Sequence, residues 1–252
     1  MHNIDLIDLT LGFIPVILTL GIMLRWSLSL KTSLLAIARM VIQLLLIGYA
    51  LNYIFGMESH WPVILILCVM LLAASWISLS SQQLGNRKLF SYSLIAIAIS
   101  GLFTLLITTQ GVLHASPWYS PQVIIPIAGM IFSNSMNAIS LAAERFYSEF
   151  RRNDDYIESR NIAFHAALIP ITNSLLAVGL VSLPGMMTGQ ILSGVSPMIA
   201  VRYQIMVMLM IFGSAGLSSG IFLYLIRGQH EPVEAPENNA RQGVKPAKET
   251  AS

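Results

Sequence analysis

The chain reads as an all-α integral membrane protein, a bundle of about seven transmembrane helices of which the sixth is broken. Three observations lead there. Of its 252 residues 55% are hydrophobic and only 10% charged, with a mean hydropathy of +0.71, whereas a soluble domain carries roughly a quarter of its residues charged. The gaps between charged side chains leave seven long apolar stretches, on the scale of the about 20 residues a helix needs to cross a bilayer. These stretches lack period-two alternation and are too long for barrel strands, so helices must satisfy their backbone groups in lipid.

The first span is predicted over 9–24, the second over 33–55 and the third over 61–79, with turn residues and charges between them. The amino terminus holds Asp5 and Asp8 but no Lys or Arg; it lacks the basic start of a cleavable signal peptide, and the first span is expected to stay in the mature protein. The fourth and fifth spans are predicted over 90–108 and 123–142. The sixth gap, 163–201, contains Pro170, Pro184, Gly185, Gly189, Gly194 and Pro197. Proline removes a backbone donor and clashes with the preceding turn, so this gap reads as a helix over 163–183, a break, and a short element at the membrane face. A simple proline kink followed by a loop is the plainer reading. The seventh span is predicted over 203–226. Residues 1–227 thus form the membrane domain. Residues 228–252 hold no Leu, Ile or aromatic residue, a composition that predicts a disordered tail.

Of the fourteen Lys and Arg residues, alternation of the spans puts all but Arg202 on one side. That asymmetry predicts a cytoplasmic carboxyl terminus and an external amino terminus. The low charged fraction argues against a soluble enzyme or a nucleic-acid binder despite a pI near 8.8.

Several chemistries fall away on position. All twelve Asp and Glu lie outside the predicted spans, so proton coupling and acid-dependent intramembrane proteolysis lack their groups. Cys68 is the one cysteine, leaving no internal disulfide and no thiolate cluster. The five histidines are scattered over tails, loops and one boundary, with no metal-binding triad at helix spacing. The last span has no lysine for a retinal Schiff base. No G-x-x-x-x-G-K-[ST] phosphate loop occurs. An enzyme is not expected, and energy for any uphill transport has to come from a partner.

What remains at depth is amides, hydroxyls and thioethers. Gln43 and Asn52 lie in the second span, Ser133, Asn134, Ser135 and Asn137 in the fifth, and Thr172, Asn173 and Ser174 in the sixth. Such groups bond across helices as packing glue or line a polar path. Met130 and Met136 in the fifth span, with Met186 and Met187 at the break, are either filler of apolar contacts or soft ligands able to pass Cu(I). Arg39, four residues before Gln43, is placed to snorkel or pair near the boundary. Gly216 and Gly220, and Gly185 and Gly189, are spaced for close helix contact within or between chains.

The segments PIAGMI (126–131), NSMNA (134–138), ALIPITNS (167–174) and VGLVSLPGMMTGQILSGVSP (178–197) resemble the FetB (YbbM) family of ABC-transporter permeases. ARMVIQLLLIGYAL (38–51) and AVRYQIMV (200–207) are similar to it as well. The resemblance covers most of the membrane part and not the tail, and SLPGMMTGQ is very specific. It implies an inner-membrane permease that homodimerises, binds no cofactor itself, and works with a separate ATP-binding-cassette ATPase holding the ATP. Bacterial members are linked to iron export and plant relatives to aluminium tolerance. On that reading Met130, Asn134, Asn137, Asn173, Met186, Met187 and Gln190 lie along the path of an iron or small-solute cargo. Arg145, Arg151, Arg152, Glu158 and Arg160 would face the ATPase.

In one respect the chain departs from the family. A LALGATPxxA-like stretch, similar to a coupling helix, is missing from the loop 144–170, and a non-transporting scaffold or regulatory subunit is the alternative this raises. Coupling needs a rigid element. The segment 141–162 is compatible with a charged helical hairpin projecting from the fifth span, while an ordinary solvated loop is the simpler expectation.

Overall fold

A computed structural model of the chain describes residues 10–54, 59–80 and 87–228. The expected tail from 229 onward and the side chain of Asn52 lie outside the described residues. Among those described are eight α-helices: α1 (Ile14–Arg25), α2 (Lys31–Ile54), α3 (Trp61–Ser80), α4 (Arg87–Leu106), α5 (Pro121–Asn153), α6 (Tyr156–Ala177), α7 (Gly185–Leu192) and α8 (Pro197–Leu225). A π-helical turn, Ile107–Val112, continues α4, and a 3-10 turn, Ile226–Gly228, closes α8. Prolines stand at the first turns of α1, α5 and α8, where the missing N–H costs nothing.

Five of these helices are long and apolar enough to cross a membrane: Lys31–Leu51 in α2, α3, α4 with its π turn, α5, and α8 with its 3-10 turn. The apolar but short α1 takes the first expected position and α6 the sixth. The result is an all-helical, multi-pass membrane protein.

At the centre stands α5, against which α3, α4, α6 and α8 pack. Its buried face runs through Ala128, Ile131, Phe132, Ser135, Ile139, Ala142 and Phe146. Small residues, Ala128, Ser135, Ala138, Ala142 and Ala143, are interleaved with larger Ile and Phe side chains on this face. Lipid offers helices no hydrophobic reward for associating, so backbones must come close for dispersion to accumulate. The Ser78 and Ser93 hydroxyls bond each other at 2.7 Å across α3 and α4, and the Ser135 hydroxyl donates to the Ser214 carbonyl across α5 and α8 at 3.3 Å. Gly220 and Gly216 face Phe164 and Leu168 of α6, so that glycine pair serves contact within the chain. A Cβ on Gly185 or Gly189 would meet nothing within 4 Å, and that pair makes no such contact.

The helix α2 behaves otherwise. Leu35, Ile42, Leu44, Leu45 and Leu46 are all exposed, as are Arg39 and Gln43. Leu51 and Ile54 at its far end do reach the core. At one end of the bundle Trp61, Trp118, Tyr119 and His60 form an aromatic cluster, with ring centroids 5.1–6.3 Å apart. Amphipathic rings of this kind settle at the membrane–water boundary. The opposite, basic end carries Arg25, Lys31, Arg87, Arg227 and the α5–α6 connection.

Three expectations need correction. The sixth helix ends at Ala177, six residues before the expected 183, because Val178 turns extended and Gly179 takes φ +82°, a left-handed conformation suited to glycine. The Gly179 amide then donates to the Ser182 carbonyl at 3.0 Å to close the turn. Pro170 lies within α6 without ending it. The connection after the fifth span is helical, not a solvated loop: α5 runs to Asn153 and α6 starts at Tyr156. Asp154 reverses the chain at φ +51°, and the Asp155 carboxylate accepts from the amides of Ile157 and Glu158 at 2.7 and 3.1 Å, a helix N-cap. Last, α8 begins at Pro197 and so takes in Arg202.

Gly101 on α4 packs closely on α5: a Cβ there would come 2.7 Å from the Phe132 ring. Gly101→Ala is expected to destabilise the detergent-solubilised protein by about 1–3 kcal/mol, the usual cost of overpacking. Gly101→Ala combined with Phe132→Leu should recover part of the loss. Thermal unfolding of the three variants checks this; an unchanged midpoint for Gly101→Ala would contradict the contact.

Candidate functional site

The helix α5 has two faces. Opposite the buried one runs a stripe at helical spacing: Gln122, Pro126, Met130, Ser133, Asn134, Asn137 and Glu144. In it Met130 and Asn134 are half-buried and the others exposed. From Gln122 to Glu144 it covers about 33 Å at 1.5 Å per residue, the thickness of a hydrocarbon core. Asn134 spends one amide hydrogen on the Met130 carbonyl at 2.8 Å. Ala138, Ile171 and Ala215 form a small cluster, which sets Asn137 and Asn173 at similar depth on the neighbouring helices α5 and α6. Asn173 is exposed along with Thr172 and Ser174. Exposed amides at this depth suit a polar path or a protein partner and do not suit lipid tails.

The stripe opens, at the aromatic end, on a cavity of about 200 Å³ lined by Gln122, Pro126, Met130, Met186, Tyr203 and Met206 among others. Met187 goes elsewhere. It lines a second, almost wholly apolar cavity of about 300 Å³, with Leu175, Leu183, Gln204 and Met208. Thus α7 acts as a partition whose successive methionines face different spaces. The side-chain oxygens of Gln190 and Gln204 are buried without a hydrogen-bond partner in the protein. The structure therefore brings Met130 and Met186 together, puts Asn134, Asn137 and Asn173 at similar depth, and separates Met187 from both groups.

At the basic end the α5–α6 hairpin is held by aromatic packing. Phe146 stacks on Phe150 at 5.5 Å and meets the edges of Tyr147 and Tyr156, and the Tyr156 hydroxyl donates to the Leu223 carbonyl of α8 at 2.8 Å. Glu149, 3% exposed, pairs with Arg145 at 2.8 Å and Arg152 at 3.4 Å. The Arg151 Nε donates to the Tyr147 carbonyl, and the Arg160 guanidinium lies 5.8 Å from the Tyr156 ring centre. Arg145, Arg151, Arg152 and Glu158 remain exposed and Arg160 half-buried. Among the described residues no group of three His, Cys, Asp or Glu is placed to hold a metal ion.

Sequence reasoning missed Met206, Gln204 and the anchoring role of Glu149. A lone acid at i+4 from one arginine and i−3 from another was a legible signal for the last. Met206 and Gln204 sit inside AVRYQIMV, and nothing in their spacing tells which cavity each faces.

Fold and site together define a multi-pass helical membrane protein with a polar stripe through its thickness and a rigid charged hairpin at one end. The chain belongs to the family described as Uncharacterised protein family (UPF0014), whose model matches residues 6–161 and 157–230. The match falls in two pieces that meet in the first turn of α6, at the hairpin where the LALGATPxxA-like stretch is lacking. Among curated relatives, the UPF0014 membrane protein slr1647 of Synechocystis is 36% identical over 214 residues, covering 78% of this chain and 83% of the relative. The Probable iron export permease protein FetB of Escherichia coli is 34% identical over 240 residues, covering 89% and 91%. Protein ALUMINUM SENSITIVE 3 of Arabidopsis thaliana is 29% identical over 228 residues, covering 83% and 82%. No solved structure matches the chain. The resemblance seen in the motifs is thereby confirmed at the level of the family.

Glu149 gives an asymmetric prediction. Glu149→Gln leaves two exposed arginines that water can solvate, and is expected to cost about 1 kcal/mol. Arg145→Ala with Arg152→Ala strands a buried carboxylate and should cost about 3 kcal/mol. Chemical unfolding of both variants measures the difference; equal costs would mean that Glu149 is hydrated.

Proposed function

We propose that this chain is the permease subunit of an export system in the bacterial inner membrane, with iron or another small solute as cargo and energy from a separate ATP-binding-cassette ATPase. The observation that carries the reading is the partly exposed stripe of α5, with Met130, Asn134 and Asn137 at its middle, running from a cavity near Gln122 to the charged hairpin near Glu144. The FetB relative of Escherichia coli, a probable iron export permease of which 91% is covered, supports the same class of cargo. On this reading the hairpin end faces the cytoplasm, in keeping with the distribution of Lys and Arg.

Two copies would complete the path. The exposed Ser133, Asn137 and Asn173, with Arg39 and Gln43 of α2, are poorly suited to lipid, and a second chain laid against them removes that cost. The ATPase would dock on Arg145, Arg151, Arg152, Glu158 and Arg160. A helical hairpin tied to α8 through Tyr156 transmits a push that a loop would absorb.

The alternative, a scaffold that no longer transports, draws on the missing stretch at the hairpin. Co-purification separates the two. A stoichiometric ATPase whose hydrolysis responds to the permease favours transport, and its absence favours the scaffold.

Asn137→Leu and Asn173→Leu are expected to cut export at least about tenfold, since a buried path deprived of its amides rejects a polar cargo, with expression unchanged. Cellular iron measured under iron or peroxide stress, with the ATPase co-expressed, tests it. If wild type and variants leave iron content alike, the path assignment is wrong.

A further inference from the structure

Among the thirteen methionines, Met130, Met186 and Met206 have an unusual setting. They come from three helices, α5, α7 and α8, and line one cavity of about 200 Å³. Methionine is the most adaptable filler of apolar space, with three rotatable bonds. Here three of them, from three different helices, share the lining of one cavity. Met186 is 37% exposed, and Met130 and Met206 are half-buried.

We propose that these thioethers form a binding site for a soft monovalent cation, Cu(I) or its stable analogue Ag(I). Thioether sulfur selects such ions over hard divalent ones. The site has no carboxylate, imidazole or thiolate in its lining. A neutral, mostly apolar cleft suits a single charge far better than a double one, because the solvation lost on entry grows with the square of the charge. Two further groups fit a cation. Pro126 has no N–H, so the carbonyl of Gln122, four residues earlier and on the same wall, lacks its ordinary helical donor. Tyr203 adds an aromatic ring to the lining, the kind of face that attracts cations. A space of this size holds one ion with a few waters, each of which occupies about 30 Å³.

The proposal concerns binding by the chain alone and needs neither an ATPase nor iron export, so the two readings fail separately. The test uses the purified full-length chain with Cys68→Ala, since the exposed thiol would itself capture silver. Ag(I) is titrated in chloride-free buffer and retained metal counted by mass spectrometry after dialysis. About one Ag(I) per chain is expected. Met206→Leu should weaken binding at least tenfold, and Met130→Leu with Met186→Leu and Met206→Leu should abolish it. Met198→Leu, an exposed methionine that does not line the cavity, should bind like the parent. A parent that retains no silver, or a triple variant that binds like the parent, overturns the proposal. A second measurement avoids the risk of misfolded variants: Ag(I) should slow oxidation of Met186 by hydrogen peroxide at least about fivefold in the parent, read by peptide mass spectrometry, with Met198 unaffected. Equal oxidation with and without silver also overturns it.

Discussion

The bundle depends on how closely its helices approach α5. In water a helix face of this composition would be driven inward by the hydrophobic effect. In a bilayer the surrounding tails are as apolar as leucine, and only dispersion and the occasional hydrogen bond remain. The protein therefore spends alanine, serine and glycine where helices cross, at Ala128, Ser135, Ala138, Ala142 and Ala143 on α5 and at Ser75, Ser78, Ser93, Ser100 and Ser214 on its neighbours, all of them buried. The serines keep their polarity quiet by donating to carbonyls of their own helix or of the facing one. Gly101 against Phe132 is the extreme case, a void on one helix filled by a ring from the other.

Once α5 is committed on one face, its other face is left with the groups that close packing does not use. That is why the amides and the thioether fall together in a single stripe, and why the stripe spans the bilayer instead of ending in the core. The same helix then continues well past the last predicted apolar residue, to Asn153, so that stripe and hairpin share one continuous helix. No joint separates them.

Much of this was legible in the sequence, for a simple reason. Charged side chains are excluded from hydrocarbon, so the gaps between them located α2, α3 and α4 to within a few residues, while the end of α5, both ends of α6 and the start of α8 fell six or more residues away. The hairpin was not legible because a charged helix and a charged loop look alike to that test; its helicity rests on the Asp155 cap, the Phe146–Phe150 stack and the Tyr156 bond to α8, which are contacts between distant positions. The early end of α6 had a visible signal in Gly179, outweighed by the louder prolines at 170 and 184. Met130 and Met186 were grouped from the sequence as candidate soft ligands, but the part of Met206 and the separation of Met187 could not be read. Neighbours in sequence on α7 face different cavities, and spacing along one helix says nothing about which partners meet it.

The proposed energy supply is in keeping with the same exclusion. Among the described residues the buried acid is Glu149, and it sits in the basic hairpin with two arginines, outside the predicted spans. A carboxylate so placed cannot relay a proton across the membrane. What it does is fix Arg145 and Arg152 along one edge of α5, stiffening the segment that continues directly into the polar stripe. If a partner's motion is to reach Asn137, a continuous helix stapled at its charged end by a buried carboxylate is the shortest mechanical route the fold offers, and the proposed ATP-driven mechanism asks for such a route where a proton-driven one would ask for an acid at depth.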